Sequence, residues 1–278
     1  VSSFVIAAVL FAALLHATWN ALVKAREDKL FAATLVAIGA GIVALPCIAF
    51  LPLPAPAAWP YLVASSVIHV GYFALVAYAY RAADLGVAYP LTRGTAPPLT
   101  AVLAWLFVGE ALGWKGWLAV LAIALGVVAL SAEALLRGGL TRATAIATFA
   151  NAGVIVLYTL IDGLGARAAG NPFSYVAWML AGTAVMLFAA MLWKRGTAFA
   201  RKLTTSLPFA IGAGGISLFS YAIALWAMTL APIGLVAALR ETSMMFAALL
   251  GALLFNEAFG PRRWLALCLI VFGVIALR

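Results

Sequence analysis

The sequence predicts an all-α integral membrane protein: ten transmembrane helices in two inverted five-helix repeats around a central cavity. Three observations predict it. Mean hydropathy is +1.15 and only 9% of the 278 residues are charged, against about 25% in soluble domains. The apolar residues gather into runs of about 20, the length that crosses a ~30 Å hydrocarbon core. A shift of 147 positions lays the second half on the first: Arg93 on Arg240, Thr95 on Thr242, Glu110 on Glu257, Gly113 on Gly260, Lys115 on Arg262, Trp117 on Trp264 and Gly126 on Gly273. Scarce residue types recurring in one register mark an internal duplication. With five spans in each copy, an odd number, the second copy enters the bilayer upside down.

Pro, Gly and charge divide the runs. The first predicted helix covers residues 3–23 and stops at the charged segment 24–29. It is too long for a cleaved leader and has no basic n-region, so it is expected to stay as a span. The second, 30–51, stops at the proline-rich loop 51–56. The third covers 59–81, and the fourth, 85–108, contains Pro90, Pro97 and Pro98. The fifth covers 114–136, so the first repeat is 1–136, followed by a basic connector, 137–141. The second repeat, 142–278, holds the sixth to tenth helices at 142–163, 172–193, 205–230, 232–255 and 261–277. The linkers between spans are too short to hold a soluble domain.

The net charge of +9 does not make a nucleic-acid surface. The Lys and Arg residues stand at the ends of apolar runs, where they anchor helices and set topology. Twelve fall on the side of Lys24, Arg137 and Lys194, and three (Lys115, Arg167 and Arg278) on the other. That bias makes the first side cytoplasmic and puts both termini outside. Cys47 and Cys268 lie within apolar runs and read as small hydrophobes rather than a disulfide. His16 and His69 lack the nearby Cys or acid that a metal site needs, so no metal and no cofactor are expected. No metalloprotease motif, Ser/Lys dyad or phosphate-cradling loop indicates an enzyme, and no repeated carbonyl filter indicates a channel.

Charges inside spans are the sharpest candidates for function, because each costs about 2.5–3.5 kcal/mol on insertion scales. Arg93 and Arg240 lie on the fourth and ninth predicted helices at matching repeat positions. Together they make a cationic patch for a carboxylate or phosphate; alternatively, Arg93 pairs with Glu241 or snorkels. Glu241 is the candidate acid for coupling transport to protons, the competing account being a structural partnership with an Arg. Trp19 and Asn20 recur as Tyr158 and Thr159, an aromatic beside a hydrogen-bonding group. His69, Tyr72, Tyr78 and Tyr80 on the third helix, with Ser217, Tyr221 and Trp226 on the eighth, suit a cavity with apolar walls and few polar contacts. The competing account of such aromatics is packing or an interfacial belt, assigned to Trp59, Trp114 and Trp193. Pro97 and Pro98 remove two backbone donors and predict a kink or hinge. Glu110 and Glu257 are expected to accept hydrogen bonds from the helix N-terminus that follows each. Gly113, Gly126, Gly260 and Gly273 offer a close-packing seam on the fifth and tenth helices, open to a homodimer partner.

Gly109-Glu110 through Gly126, Asn256-Glu257 through Gly273, and Leu15-His-Ala-Thr-Trp-Asn-Ala-Leu-Val-Lys24 carry a family resemblance. The chain resembles the drug/metabolite transporter superfamily, most closely its EamA-type branch, over essentially its whole length. The resemblance implies a carrier whose cavity is lined by the first, third, fourth, sixth, eighth and ninth helices. It implies metabolite cargo such as amino acids, sugars or nucleotide derivatives, often moved outward. Members are drawn with both termini inside, opposite to the charge bias. The resulting expectation is a multi-pass carrier of the cell (inner) membrane, exporting small amphipathic metabolites by alternating access. An amino acid is the best guess, with Arg93 or Arg240 on its carboxylate and Asn20 or Asp162 on its amine. The alternatives are an exchanger of phosphorylated or nucleotide-linked sugars and, remotely, a membrane enzyme.

Overall fold

Inside a bilayer a backbone N–H or C=O finds no water, so an isolated segment satisfies itself by forming a helix. The computed structural model describes residues 1–82, 85–130, 141–255 and 260–277, with side chains other than those of Ala74, 76–82, 85–90, Ala143 and Phe255. Every α-element among them follows that rule: α1 (Ser3–Lys24), α2 (Lys29–Phe50), α3 (Trp59–Ala82), α4 (Leu85–Leu103), α5 (Trp114–Ala129), α6 (Arg142–Ala168), α7 (Pro172–Arg195), α8 (Thr197–Thr205), α9 (Leu207–Leu230), α10 (Ile233–Arg240), α11 (Ser243–Phe255) and α12 (Pro261–Ile275). Among the described residues, six stretches are long and apolar enough to cross a membrane, α10 and α11 counting together as one; α5 is apolar but shorter.

Polar residues at the run boundaries start the helices. Asp28 accepts from the Phe31 N–H at 2.8 Å, and Thr141 from the Thr144 N–H at 3.1 Å. Asn171 accepts from Phe173 and Ser174 with Pro172 at the first helical position, where the missing N–H costs nothing. A π-turn, Ala104–Val108, extends α4 and stops at Gly109, whose φ of +76° suits glycine.

Three features depart from the sequence expectation. The predicted ninth helix is interrupted: α10 ends at Arg240, Glu241 and Thr242 form a turn, and α11 restarts at Ser243. Helix α4, by contrast, runs unbroken through Pro97 and Pro98, so the interruption expected at the prolines falls on the facing helix. The basic linker after α7 folds as the short helix α8, which buries Phe199 and Leu203 and exposes Arg201 and Lys202. Lys202 sits over the Phe31 ring at 4.3 Å, pinning α8 to the start of α2.

The helices touch where side chains are smallest. A Cβ on Gly39 would lie 1.8 Å from the Ala210 carbonyl oxygen, and one on Gly214 would lie 2.3 Å from the Ala40 nitrogen. The α2 and α9 backbones therefore meet directly, as only glycine permits. A Cβ on Gly126 would meet Ile270 and the Ala266 carbonyl at 2.7 and 2.8 Å; one on Gly273 would meet Ile123 and the Ala119 carbonyl at 2.7 and 2.9 Å. Adding 147 to Ala119, Ile123 and Gly126 returns Ala266, Ile270 and Gly273. Of the four glycines read from sequence as a close-packing seam, Gly126 and Gly273 pack α5 against α12 within the chain, while a Cβ on Gly113 or Gly260 would meet nothing within 4 Å.

Chain order gives the bundle two ends. The Lys24 end holds the α1–α2 loop and α8, while the Glu110 end holds the π-turn and the α9–α10 junction. Towards the Glu110 end the interior is solid, built from Val9 of α1, Leu62 of α3, Tyr175 and Met179 of α7, Met228 of α9 and Ile233 of α10. Glu110 closes this end. Its Oε1 meets Arg167 Nη2 at 2.5 Å, and its Oε2 accepts from the Ile233 N–H at 2.7 Å. Arg167 also donates to the Met228 and Ala231 carbonyls at 2.8 and 3.1 Å. Glu110 was expected to serve the helix that follows it; it caps α10 instead.

Candidate functional site

The halves of the helices nearer the Lys24 end leave a cavity of about 220 Å³. Helical spacing selects its wall. On α1, His16, Trp19, Asn20 and Val23 face it; on α6, Asn151, Ile155 and Tyr158; on α2, Ala33, Val36, Ala37 and Ala40. Each set follows the i, i+3 or i+4, i+7 rule for one face of a helix. His69 and Tyr72 of α3, Arg93 of α4, Tyr221 of α9 and Arg240 of α10 complete the polar and aromatic lining. No described residue of helices α5 and α12 lines it.

Eight of the predicted site residues therefore converge: Trp19, Asn20, His69, Tyr72, Arg93, Tyr158, Tyr221 and Arg240. The Tyr78 side chain lies outside the described residues. Glu241 and Pro97 sit behind the wall, flanking a small void with Arg93 and Tyr158, and Pro98 is half-buried beside them. The sequence expectation missed α2 and α7 as wall elements and did not place His16 or Asn151 at the site. Asn151 had a signal, since it stands seven residues before Tyr158 on the same face. The small apolar residues of α2 had none.

The two arginines are not equivalent. Arg93 Nε lies 2.8 Å from Glu241 Oε2, with both side chains 6% exposed, so the pair is electrically compensated. Arg93 Nη2 also faces His16 Nε2 at 3.4 Å; a guanidinium only donates, so the imidazole nitrogen accepts. Arg240 lies with its guanidinium 5.0 Å from the centroid of the Tyr221 ring, with no carboxylate partner among the described residues. Among the described residues, the wall contains no Asp or Glu. Among the described residues Arg93 is ion-paired with Glu241, while Arg240, which borders the same small void as Glu241, makes no ion pair.

Aromatic rings hold the Arg240 guanidinium in place. Tyr72 packs edge-on against Tyr158 at 5.8 Å, Tyr158 lies 4.6 Å from His69, and His69 meets Tyr221 at 6.1 Å. His69 Nδ1 is 2.9 Å from the Ser65 carbonyl oxygen. The Tyr221 hydroxyl donates to Asp162, which also accepts from Tyr175 at 2.9 Å. Asp162 is fully buried behind these two hydroxyls and is absent from the cavity wall. It orients Tyr221 rather than binding an amine, which corrects the sequence expectation for this residue.

These features define a class: a polytopic helical membrane protein enclosing a solute-sized chamber lined by aromatic rings and two arginines, of which, among the described residues, Arg240 has no carboxylate partner. The sequence profile of the EamA-like transporter family matches residues 3–132 and again residues 142–278. The chain belongs to the EamA-like transporter family, whose members are membrane transporters of the drug/metabolite type. One solved crystal structure, 21% identical, shares the fold with a TM-score of 0.75 over 99% of this chain and 98% of its own. No curated protein matches.

Proposed function

We propose that this chain is a secondary carrier that exports small amphipathic carboxylates, amino acids foremost, by alternating access. The observation that carries the reading is Arg240: a guanidinium backed by Tyr221 that, among the described residues, has no carboxylate partner and shares the chamber wall with no acid. A substrate carboxylate supplies the missing counter-charge, and the apolar groups of Val36, Phe73, Ile155 and Leu180 receive its side chain. The alternative cargo, a phosphorylated or nucleotide-linked sugar, calls for several free cations; of the two arginines lining the chamber among the described residues, Arg93 is already ion-paired with Glu241.

Alternating access follows from two five-helix repeats, 1–136 and 142–278, exchanging roles. The double match of one family profile and the reciprocal Gly126 and Gly273 contacts support that division. Ten spans follow if α8 lies at the interface and α10 with α11 counts once. The cavity lies toward the basic end, expected to be cytoplasmic in a cell (inner) membrane, and the Glu110–Arg167 pair closes the other. This is the arrangement that loads a substrate for export. Glu241 serves as the coupling group: a proton on its carboxyl uncouples it from Arg93 and adds a second cation to the chamber.

Proteoliposomes preloaded with labelled amino acids test the reading. Efflux without ATP is expected, strongest for apolar side chains, and Arg240→Gln is expected to reduce it while the variant still purifies as folded protein. No efflux across a broad panel of amino acids overturns the assignment.

A further inference from the structure

Helical spacing aims His69 into the chamber. Val63 and Val67 mark the outer face of α3, at 57% and 55% exposure; at about 100° per residue, His69 and Tyr72 project from the opposite side, where both line the cavity. His69 Nδ1 lies 2.9 Å from the Ser65 carbonyl oxygen one turn back and 3.1 Å from Ser65 Oγ. A carbonyl only accepts, so Nδ1 carries the proton, and in the neutral ring Nε2 keeps the lone pair. With Nδ1 turned to its own helix, Nε2 points away from α3. Tyr158 covers one face of the ring at 4.6 Å, and Tyr221 meets it edge-on at 6.1 Å. The residue is half-buried. Its Nε2 meets no donor among the described residues, and it keeps accessible surface where Trp19 Nε1 and Asn151 Oδ1 have essentially none. An acceptor held in this way in a chamber wall favours a ligand that brings a donor.

Position singles out this acceptor. The amine nitrogen and carboxylate carbon of an α-amino acid are two bonds apart, about 2.5 Å, so the groups that hold them must be neighbours. His69 and Arg240 pack against the same Tyr221 ring, at 6.1 and 5.0 Å. Asn20 also turns its Nδ2 back, onto the His16 carbonyl at 2.8 Å, and so offers an oxygen. It stands one turn from His16, however, which faces Arg93 rather than Arg240. We propose that His69 Nε2 accepts a hydrogen bond from the substrate's ammonium group while Arg240 holds the carboxylate, so that His69 sets the preference for α-amino carboxylates over carboxylates lacking the amine. The proposal rests on the reading of Arg240 as the carboxylate site. A neutral acceptor suits this position: an acid beside Arg240 would pair with it and compete with the substrate carboxylate.

Binding to the purified protein in lipid nanodiscs tests this with two matched pairs: L-leucine with 4-methylpentanoate, and L-valine with 3-methylbutanoate. The wild type is expected to bind the amino member of each pair about tenfold or more tightly, the worth of a hydrogen bond to a charged group. The side-chain oxygen of glutamine reaches the place of Nε2, that of asparagine only the place of Nδ1. His69→Gln should therefore keep the preference, and His69→Asn should abolish it by weakening only the amino members. His69→Phe, which keeps a ring between Tyr158 and Tyr221, should abolish it too and decides the matter if His69→Asn does not fold. A preference that survives in both His69→Asn and His69→Phe overturns the proposal, as does one that is lost instead in Asn20→Leu. An equal loss for both members of a pair, the sign of a packing role, also overturns it. Failure of the underlying reading looks different: no carboxylate binds the wild type, or Arg240→Gln leaves the affinity of the desamino compounds intact.

Discussion

Glu110→Gln is expected to open the closed end of the bundle. The carboxylate meets Arg167 at 2.5 Å and caps α10 through the Ile233 N–H at 2.7 Å. Glutamine keeps an acceptor for that N–H but removes the charge, leaving the guanidinium only its two carbonyl partners on Met228 and Ala231. The Arg167 side chain is 31% exposed and that of Glu110 11%, so the loss falls below the 3–5 kcal/mol of a fully buried pair; about 1–3 kcal/mol is reasonable. In the alternating-access reading proposed above the contact exists only while this end is shut, so the loss is expected to shift the balance toward the opposite state by about 5- to 150-fold. A thiol reporter on the cavity wall reads that shift: Ser217→Cys in a Cys47→Ser, Cys268→Ser background, in vesicles of known orientation. A membrane-impermeant maleimide added on the Glu110 side should label it at least about fivefold faster in Glu110→Gln. Arg167→Gln should act the same way, and the double variant should add little. Labelling from that side that stays at the starting rate in all three refutes the latch.

Two further outcomes follow from the packing. Glu241→Gln leaves Arg93 buried without its counter-charge and should destabilise the protein by about 3–5 kcal/mol, while Arg93→Gln with Glu241→Gln should recover most of the loss, read as thermal melting of the purified variants. In the folded fraction, Glu241→Gln should also abolish any acceleration of transport by an imposed pH gradient; a retained response removes Glu241 from coupling. Gly39→Ala should prevent accumulation of folded protein, because its methyl would lie 1.8 Å from the Ala210 oxygen. Gly71→Ala, where a Cβ meets nothing within 4 Å, should leave the yield unchanged.

Much of the site was legible because polar residues are conspicuous in a chain that is 67% hydrophobic. Trp19, Asn20, His69, Arg93, Tyr158 and Arg240 announce themselves by type, and helical spacing puts them on shared faces. What stayed hidden depends on partners far along the chain. Nothing local says that Tyr175 reaches back to enclose Asp162, or that Glu110 caps a helix beginning 123 residues later. The break at Glu241 and Thr242 has neither Pro nor Gly to mark it. Helix α8 has nine residues and two buried apolar side chains, too short for periodicity to separate it from a charged linker. The choice between a free and a paired Arg93 also needed the structure, because only the fold brings Glu241 to it. Of the two readings the sequence left open for Arg93, a cationic patch or a pair with Glu241, the structure has the pair.

The central claim is that Arg240 is the carboxylate-binding charge, and affinity for a charged ligand and its neutral counterpart measures it most directly. L-leucine and L-leucinamide should be titrated against the wild type and Arg240→Gln in nanodiscs. The account predicts that the wild type prefers leucine, and that the variant loses about tenfold or more of its leucine affinity while leucinamide binding changes little. Equal losses for both ligands, or a leucine preference that survives the substitution, would contradict it.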